Sequence, residues 1–219
     1  MTLSKSNYML FLRHPAWLWL KKFEKYRLPP IDENTQAMFD AGHEFEGYAE
    51  KLYPDAARLG FSNHEYQSLP QRTKIALDKG ASTIFQGRFE IAGITCIVDI
   101  LHRVKGNTFD LIEIKSNTKV KPEHKYDLAF QTIVLEKSRI KIRNITIIHV
   151  NNEYVRNGNI EPEKLTVKDD VTAAVRALVD ITKEQINKAF AVLSQKTMPD
   201  LSPRYVNQIG VSNTRWFEE

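Results

Sequence analysis

Glu113 and Lys115, a carboxylate and an ammonium two residues apart, lie within the otherwise apolar, β-branched run Phe109-Asp110-Leu111-Ile112-Glu113-Ile114-Lys115-Ser116. Side chains alternate along a strand, so the two share one face with Leu111 while Ile112 and Ile114 take the other. Such a strand is anchored in a core on one side and carries chemistry on the other. Burying the charged pair costs desolvation energy, and a metal ion or a phosphate beside it is a common compensation. Upstream, Ile97-Val98-Asp99-Ile100-Leu101 sets a second lone acid in an apolar strand, and Lys105-Gly106-Asn107 between the two is a turn signal. A hairpin there brings Asp99 beside Glu113. Two neighbouring carboxylates with a lysine suit Mg²⁺ or Mn²⁺, hard cations held by one or two acids together with water and substrate phosphate. The chemistry implied is metal-assisted phosphodiester hydrolysis, with Lys115 orienting or deprotonating the nucleophile and offsetting negative charge. The competing reading is the wet face of a surface hairpin; the apolar neighbours favour the chemical one.

The elements that must position these residues follow from patterning. Strands are expected at about 82–91, 94–104 and 108–116, three in succession and antiparallel, the first two joined by a tight Ala92-Gly93 turn. Gln86 and Arg88 on the first of them either face the cleft or lie on plain strand surface. Pro122 opens a helix to about Lys137 that is apolar on almost every side, through Leu128, Ala129, Phe130, Ile133, Val134 and Leu135. His124, Asp127 and Gln131 interrupt it as one narrow polar stripe, which the scarcity of other polar residues turns toward the site. A strand at 144–150 follows, and the helical crossover before it implies parallel pairing. Before the strands, a helix from about Glu33 to Tyr53 is expected to turn Phe39, Gly42, Phe45, Ala49, Leu52 and Tyr53 inward, with Glu46 on the same side and Glu44 and Lys51 in water. Ser4 or Ser6 caps a first short helix and Pro15 suits the first turn of a second. Gln67–Lys79 reads as a connecting helix. Asp169 or Asp170 can cap a long C-terminal helix to about Ser194. The tail carries Trp216 and Phe217, an aromatic end suited to docking on this domain or on a protein partner, or to self-association.

Composition fits one domain over 1–219: N-terminal helices at 1–30, an αβββαβ core at 33–156, a C-terminal helix region at 157–196 and a tail at 197–219. No apolar run approaches a membrane span and the N-terminus lacks the form of a secretory signal, so a cytoplasmic location without membrane contact is expected. The single cysteine, Cys96, rules out a disulfide framework and a cysteine-rich zinc site, and reads as a small core residue. A net charge of +4 permits a polyanionic partner without demanding one. Lys119, Lys121 and Lys125 follow the site directly and suit phosphate contacts, as does the more distant group Lys137, Arg139, Lys141 and Arg143. Arg156 either contacts phosphate or closes a loop.

Asp99 followed by Glu113-Ile114-Lys115, the opening Leu3-Ser4-Lys5-Ser6, the Gly42-to-Pro54 helix and Asp127-Leu128-Ala129-Phe130-Gln131 together resemble the PD-(D/E)XK nuclease superfamily, specifically its RecB-like exonuclease branch, which includes the CRISPR adaptation nucleases. The resemblance runs from the N-terminus to about Arg156. It implies an α/β fold, a restriction-endonuclease-like αβββαβ core with a mixed sheet flanked by helices, and a divalent-metal-dependent DNA nuclease, with Glu46, Asp99, Glu113 and the Ile114 carbonyl as metal ligands. Glu46 has the family's spacing of four residues after a glycine; His43 and Glu50 remain substitutes. Gln131 matches the family glutamine that approaches the site, whereas Leu135 replaces a tyrosine that contacts DNA. His14 stands where many relatives have a cysteine of an iron–sulfur cluster; the other thiolates are missing too, so no cluster is expected. Two further readings compete with the exonuclease: a non-catalytic nucleic-acid- or protein-binding module on the same fold, and a restriction-type endonuclease.

Overall fold

The computed structural model describes residues 1–30, 32–60 and 65–200. The chain opens with a two-residue strand β1 (Leu3–Ser4) and the helices α1 (Lys5–Arg13) and α2 (Pro15–Phe23). There follow α3 (Glu33–Ala49), the short strand β2 (Ala57–Arg58) and α4 (Leu69–Asp78). The middle is β3 (Thr83–Ile91), β4 (Ile94–Lys105), β5 (Thr108–Lys115), α5 (Pro122–Lys137) and β6 (Lys141–Val150). The last described elements are α6 (Pro162–Leu165), β7 (Thr166–Asp170), α7 (Thr172–Arg176) and α8 (Val179–Ser194). Seven strands form one mixed sheet in the order β2-β3-β4-β5-β6-β7, with β1 joined to β4. The expected order of helix, three strands, helix and strand is present as α3, β3, β4, β5, α5 and β6, with β2 and α4 inserted after α3.

The β3–β4 connection is a two-residue turn in which Ala92 (φ 49°) and Gly93 (φ 77°) are both left-handed, as the mirror-image hairpin turns require. β3, β4 and β5 are antiparallel neighbours, and β6 returns parallel to β5 through α5, with Glu113 beside Ile147 and Lys115 beside His149. The sheet separates two apolar layers. On one side Leu101, Phe109, Leu111, Ile145 and Ile147 pack with Tyr8 of α1, Leu18 of α2, Phe130 of α5 and Leu193 of α8. On the other Ile100, Ile112, Ile114 and Ile148 meet Phe45 and Ala49 of α3. The alternation along β5 is therefore the one expected. Leu128, Phe130, Val134 and Leu135 of α5 are fully buried. At roughly 1.5–3 kcal/mol per large apolar side chain, that burial fixes α5 against the sheet whatever its polar stripe does.

Three expectations change. Residues up to Asp170 form an edge strand antiparallel to β6, and the helix expected from Asp169 or Asp170 comes in two pieces, α7 and α8. Asp170 still serves the turn, accepting the Thr172 N–H at 2.8 Å. Phe39 is not inward but 48% exposed, since among the described residues the first half of α3 is largely uncovered. The two-residue β1 was not foreseen. The aromatic tail lies outside the described residues, and no helix among those described is long and apolar enough to cross a membrane.

Candidate active site

The site is built on a fork in the sheet. β4 pairs with β3 along one edge; its other edge is shared by two strands. β5 occupies that edge from Lys105 back to Ile100, which stands opposite Ile112. β1 occupies it at Ile94 and Thr95, running parallel. Between them β5 leaves β4 while remaining hydrogen-bonded to β6. Asp99 stands at the opening. Its register places it opposite Glu113, and its carboxylate takes the place of a strand partner by accepting the Ile114 N–H at 2.8 Å. A strand residue points its N–H and C=O to the same edge, so the Ile114 carbonyl also faces the fork.

Glu113 is only 1% exposed, and its carboxylate bonds Lys5, Lys115 and Gln131. Lys115 Nζ donates to Glu113 Oε1 at 2.6 Å, and Gln131 Nε2 donates to Oε2 at 2.7 Å. Asp127 joins the cluster, receiving Lys115 at 3.1 Å and Gln131 at 2.8 Å. Two of the three residues of the polar stripe on α5, Asp127 and Gln131, therefore face the site one turn apart, whereas His124 accepts the Lys121 N–H at the start of the helix. Gln131 Oε1 is buried and meets no hydrogen-bond donor among the described residues.

A second ammonium enters from the far end of the sequence. Lys5, the first residue of α1, reaches Glu113 Oε1 at 3.1 Å and Asp127 Oδ1 at 3.6 Å. β1 holds it there by pairing with β4, and Ser4 caps α1 by accepting the Asn7 N–H at 3.2 Å. Sequence reasoning passed over Lys5 as a site residue, although Leu3-Ser4-Lys5-Ser6 belonged to the resembling pattern.

Glu46 approaches from α3, on the other side of the sheet. It is half-buried and hydrogen-bonded to Gln86, whose register position on β3 is opposite Asp99 of β4. Gln86 has a left-handed backbone (φ 58°), rare inside a strand, which breaks the face alternation so that Phe85 and Gln86 both turn toward α3. Arg88 does not face the cleft: it is buried at the α4 side on the Tyr66 carbonyl and Thr95 Oγ1. His43 and Glu44 are exposed. Gly42 lies over the end of β5, where a Cβ would stand 3.7 Å from Ser116 Oγ.

Electrostatics follow from this crowding. Burial, then the charge of Glu113, push the Asp99 carboxyl up to about 7. Burial likewise raises Glu46, with Glu113 adding to it. For Asp127 burial is outweighed by Lys5 and Lys115, which hold it well below the usual carboxylate range. Burial opposes the charge on Lys115 and Lys5, but the surrounding carboxylates prevail and both ammoniums are held above their ordinary range.

Among the described residues no three His, Cys, Asp or Glu side chains converge as a finished metal cage. Glu113 is turned onto the two lysines, and Glu46 onto Gln86. The donor chemistry nevertheless fits a hard divalent cation: carboxylates disfavoured as anions by burial and by each other, the Ile114 carbonyl beside them, and the unmatched Gln131 Oε1.

No protein-family model matches the chain, and no curated protein matches it. Among solved structures it is similar to the alkaline exonuclease LHK-Exo from Laribacter hongkongensis, at a TM-score of 0.42 and 13% identity over 88% of this chain and 91% of that one. It is similar also to LHK-Exo in complex with dAMP, at a TM-score of 0.44 and 14% identity over 87% of this chain and 88% of that one.

The expected nucleic-acid contacts divide by position. Lys119 and Lys121 are exposed on the loop between β5 and α5, beside Lys115, and Lys125 is half-buried on α5. Arg156 is exposed in the loop after β6, at the same end of the sheet, and donates to the Gly158 carbonyl at 2.8 Å, so it closes its own loop. The group Lys137 to Arg143 belongs to the other end, since Lys141 pairs with Thr108 at the start of β5. Thr108 and Lys115 are the two ends of β5, about 23 Å apart along the strand. His14 caps α2 by accepting the Ala16 N–H on Nδ1 at 3.1 Å.

Proposed function

We propose that this protein is a divalent-metal-dependent nuclease that hydrolyses phosphodiester bonds in DNA, of exonuclease type and RecB-like descent. The observation that carries the reading is the buried assembly at the fork, where Lys115 bonds the buried Glu113 and Asp99 of the neighbouring strand accepts the Ile114 N–H. A structural ion pair needs one cation and one anion; here three carboxylates and two ammoniums are gathered where the ladder opens, a costly arrangement that substrate chemistry explains.

Asp99, Glu113 and the Ile114 carbonyl would hold Mg²⁺ or Mn²⁺, with Glu46 as a peripheral ligand. When bound, such an ion polarises the phosphate and lowers the pKa of its water. Lys115 acts as a fixed positive charge, because the carboxylates around it keep its ammonium protonated; that favours charge stabilisation over a role as base. Gln131 orients Glu113 through Oε2. Lys119, Lys121 and Lys125 take backbone phosphates at the mouth. Exonuclease action rests on the sequence resemblance.

A non-catalytic binding module on the same fold is the competing reading, favoured by Leu135, which is fully buried where the family has a DNA-contacting tyrosine. Single variants separate the two. Asp99→Asn, Glu113→Gln and Lys115→Met should each lower DNA cleavage by at least about 10²-fold in Mg²⁺, with unfolding transitions as cooperative as the wild type's. Folded variants that cut at the wild-type rate would remove these residues from any catalytic role.

A further inference from the structure

Lys5 has no part in the chemistry set out above, yet it is the costliest cation in the cleft to place. It occupies the first turn of α1, where the helix dipole disfavours positive charge and no acidic residue of that turn offsets it. Its side chain is 20% exposed. It bridges Glu113 and Asp127, the same two carboxylates that Lys115 bridges. Lys115 sits closer on both, at 2.6 and 3.1 Å against 3.1 and 3.6 Å for Lys5. Both ammoniums contact Glu113 Oε1, so an incoming cation on that oxygen must compete with one of them, and Lys5 is the more loosely held.

We propose that Lys5 is the exchangeable cation of the cleft: it neutralises Glu113 until a divalent ion takes Oε1, and its ammonium then serves a phosphate of the bound strand. The proposal rests on the nuclease reading. Lys115, held at shorter range by both acids, stays in place. The Lys5 backbone is held between β1, which pairs with β4 through Leu3 and Ser4, and α1, but its side chain has a long flexible stem, so its ammonium can move by a few ångströms while the backbone stays in place.

The test is calorimetric titration of the full chain with Mn²⁺ in the absence of nucleic acid, which needs no turnover. Lys5→Met, and Lys5→Gln as a variant that keeps a donor for Glu113 without the charge, should bind Mn²⁺ about tenfold tighter than wild type. Lys5→Arg should stay within about threefold of it, since the charge remains. The same neutral variants should bind a short oligonucleotide in Ca²⁺ more weakly, with the salt dependence reduced by about one phosphate contact. Unchanged or weaker Mn²⁺ binding by the folded neutral variants, beside a wild type that does bind it, overturns the proposal and leaves the nuclease reading standing. Tighter Mn²⁺ binding with unchanged oligonucleotide affinity overturns the phosphate role. A wild type that takes up no Mn²⁺ at all refutes the nuclease reading, and this proposal falls with it.

Discussion

Glu113 and Glu46 are both carboxylates, but they stand in opposite circumstances. Glu113 is sealed in the sheet with Lys5, Lys115 and Gln131 on its two oxygens, whereas Glu46 is half-buried on a helix and bonded to Gln86. Removing the charge of a central ligand should therefore erase chemistry, while removing a peripheral one should weaken metal affinity. Glu46→Gln is expected to lose activity at low Mn²⁺ and regain most of it as Mn²⁺ is raised; Glu113→Gln is expected to show no such recovery. An activity profile of Glu46→Gln that matches wild type at every metal concentration would take Glu46 out of the site. Which residues were readable follows the same geometry. Asp99, Glu113 and Lys115 belong to one hairpin, whose two-residue periodicity is explicit in the sequence, and Gln131 belongs to the helix that comes next. Lys5 is 108 residues from Glu113, and the two-residue strand that delivers it has no periodicity to detect. The left-handed backbone at Gln86 leaves no trace either, since glutamine gives no local reason for it.

Among the elements, α5 was legible from end to end because Pro122 opens it and its apolar residues run all round. β7 was not: its sequence Thr166-Val167-Lys168-Asp169-Asp170 has the polar composition of an edge, and only pairing with β6 makes it a strand. α3 misled in a third way, for its apolar residues continue past the point where the sheet ends, leaving Met38 71% exposed. α5 also has a pH-sensitive start. His124 Nδ1 accepts the Lys121 N–H at 3.2 Å, closing the first turn, which requires a neutral ring. Burial, and then the charge of Lys115, lower its pKa from 6.5 to about 4. A group with a depressed pKa in the fold takes up a proton on unfolding, so its contribution is complete above pH 6.5 and is lost as pH falls toward 4. His124→Gln keeps an acceptor at that position and does not titrate. Its melting temperature is expected to fall less steeply than wild type's between pH 6.5 and 4, and parallel curves would show that His124 contributes nothing to the acid sensitivity.

At the scale of the molecule, the sheet has a chemical end and an inert end. β5 and β6 carry Lys115 and His149 to the end where Lys119, Lys121 and Arg156 also lie, while Lys141 and Arg143 sit at the opposite end, Arg143 on Asp110 at 2.6 Å. The modest excess of positive charge, +4 over 219 residues, is thus less informative than its position. Under the proposed function a DNA strand would meet the fork between β4 and β5 at this end, with α1 and α5 on one side and α3 on the other. The proposed function requires cleavage of a phosphodiester backbone, so the decisive measurement is digestion of labelled DNA by the purified chain. Linear DNA labelled at one end and the same DNA as a closed circle are incubated with Mg²⁺ or Mn²⁺, and with chelator as control. The account predicts metal-dependent shortening of the linear DNA, abolished by chelator, with the circle left intact; DNA of both forms that stays uncut in either metal would contradict it.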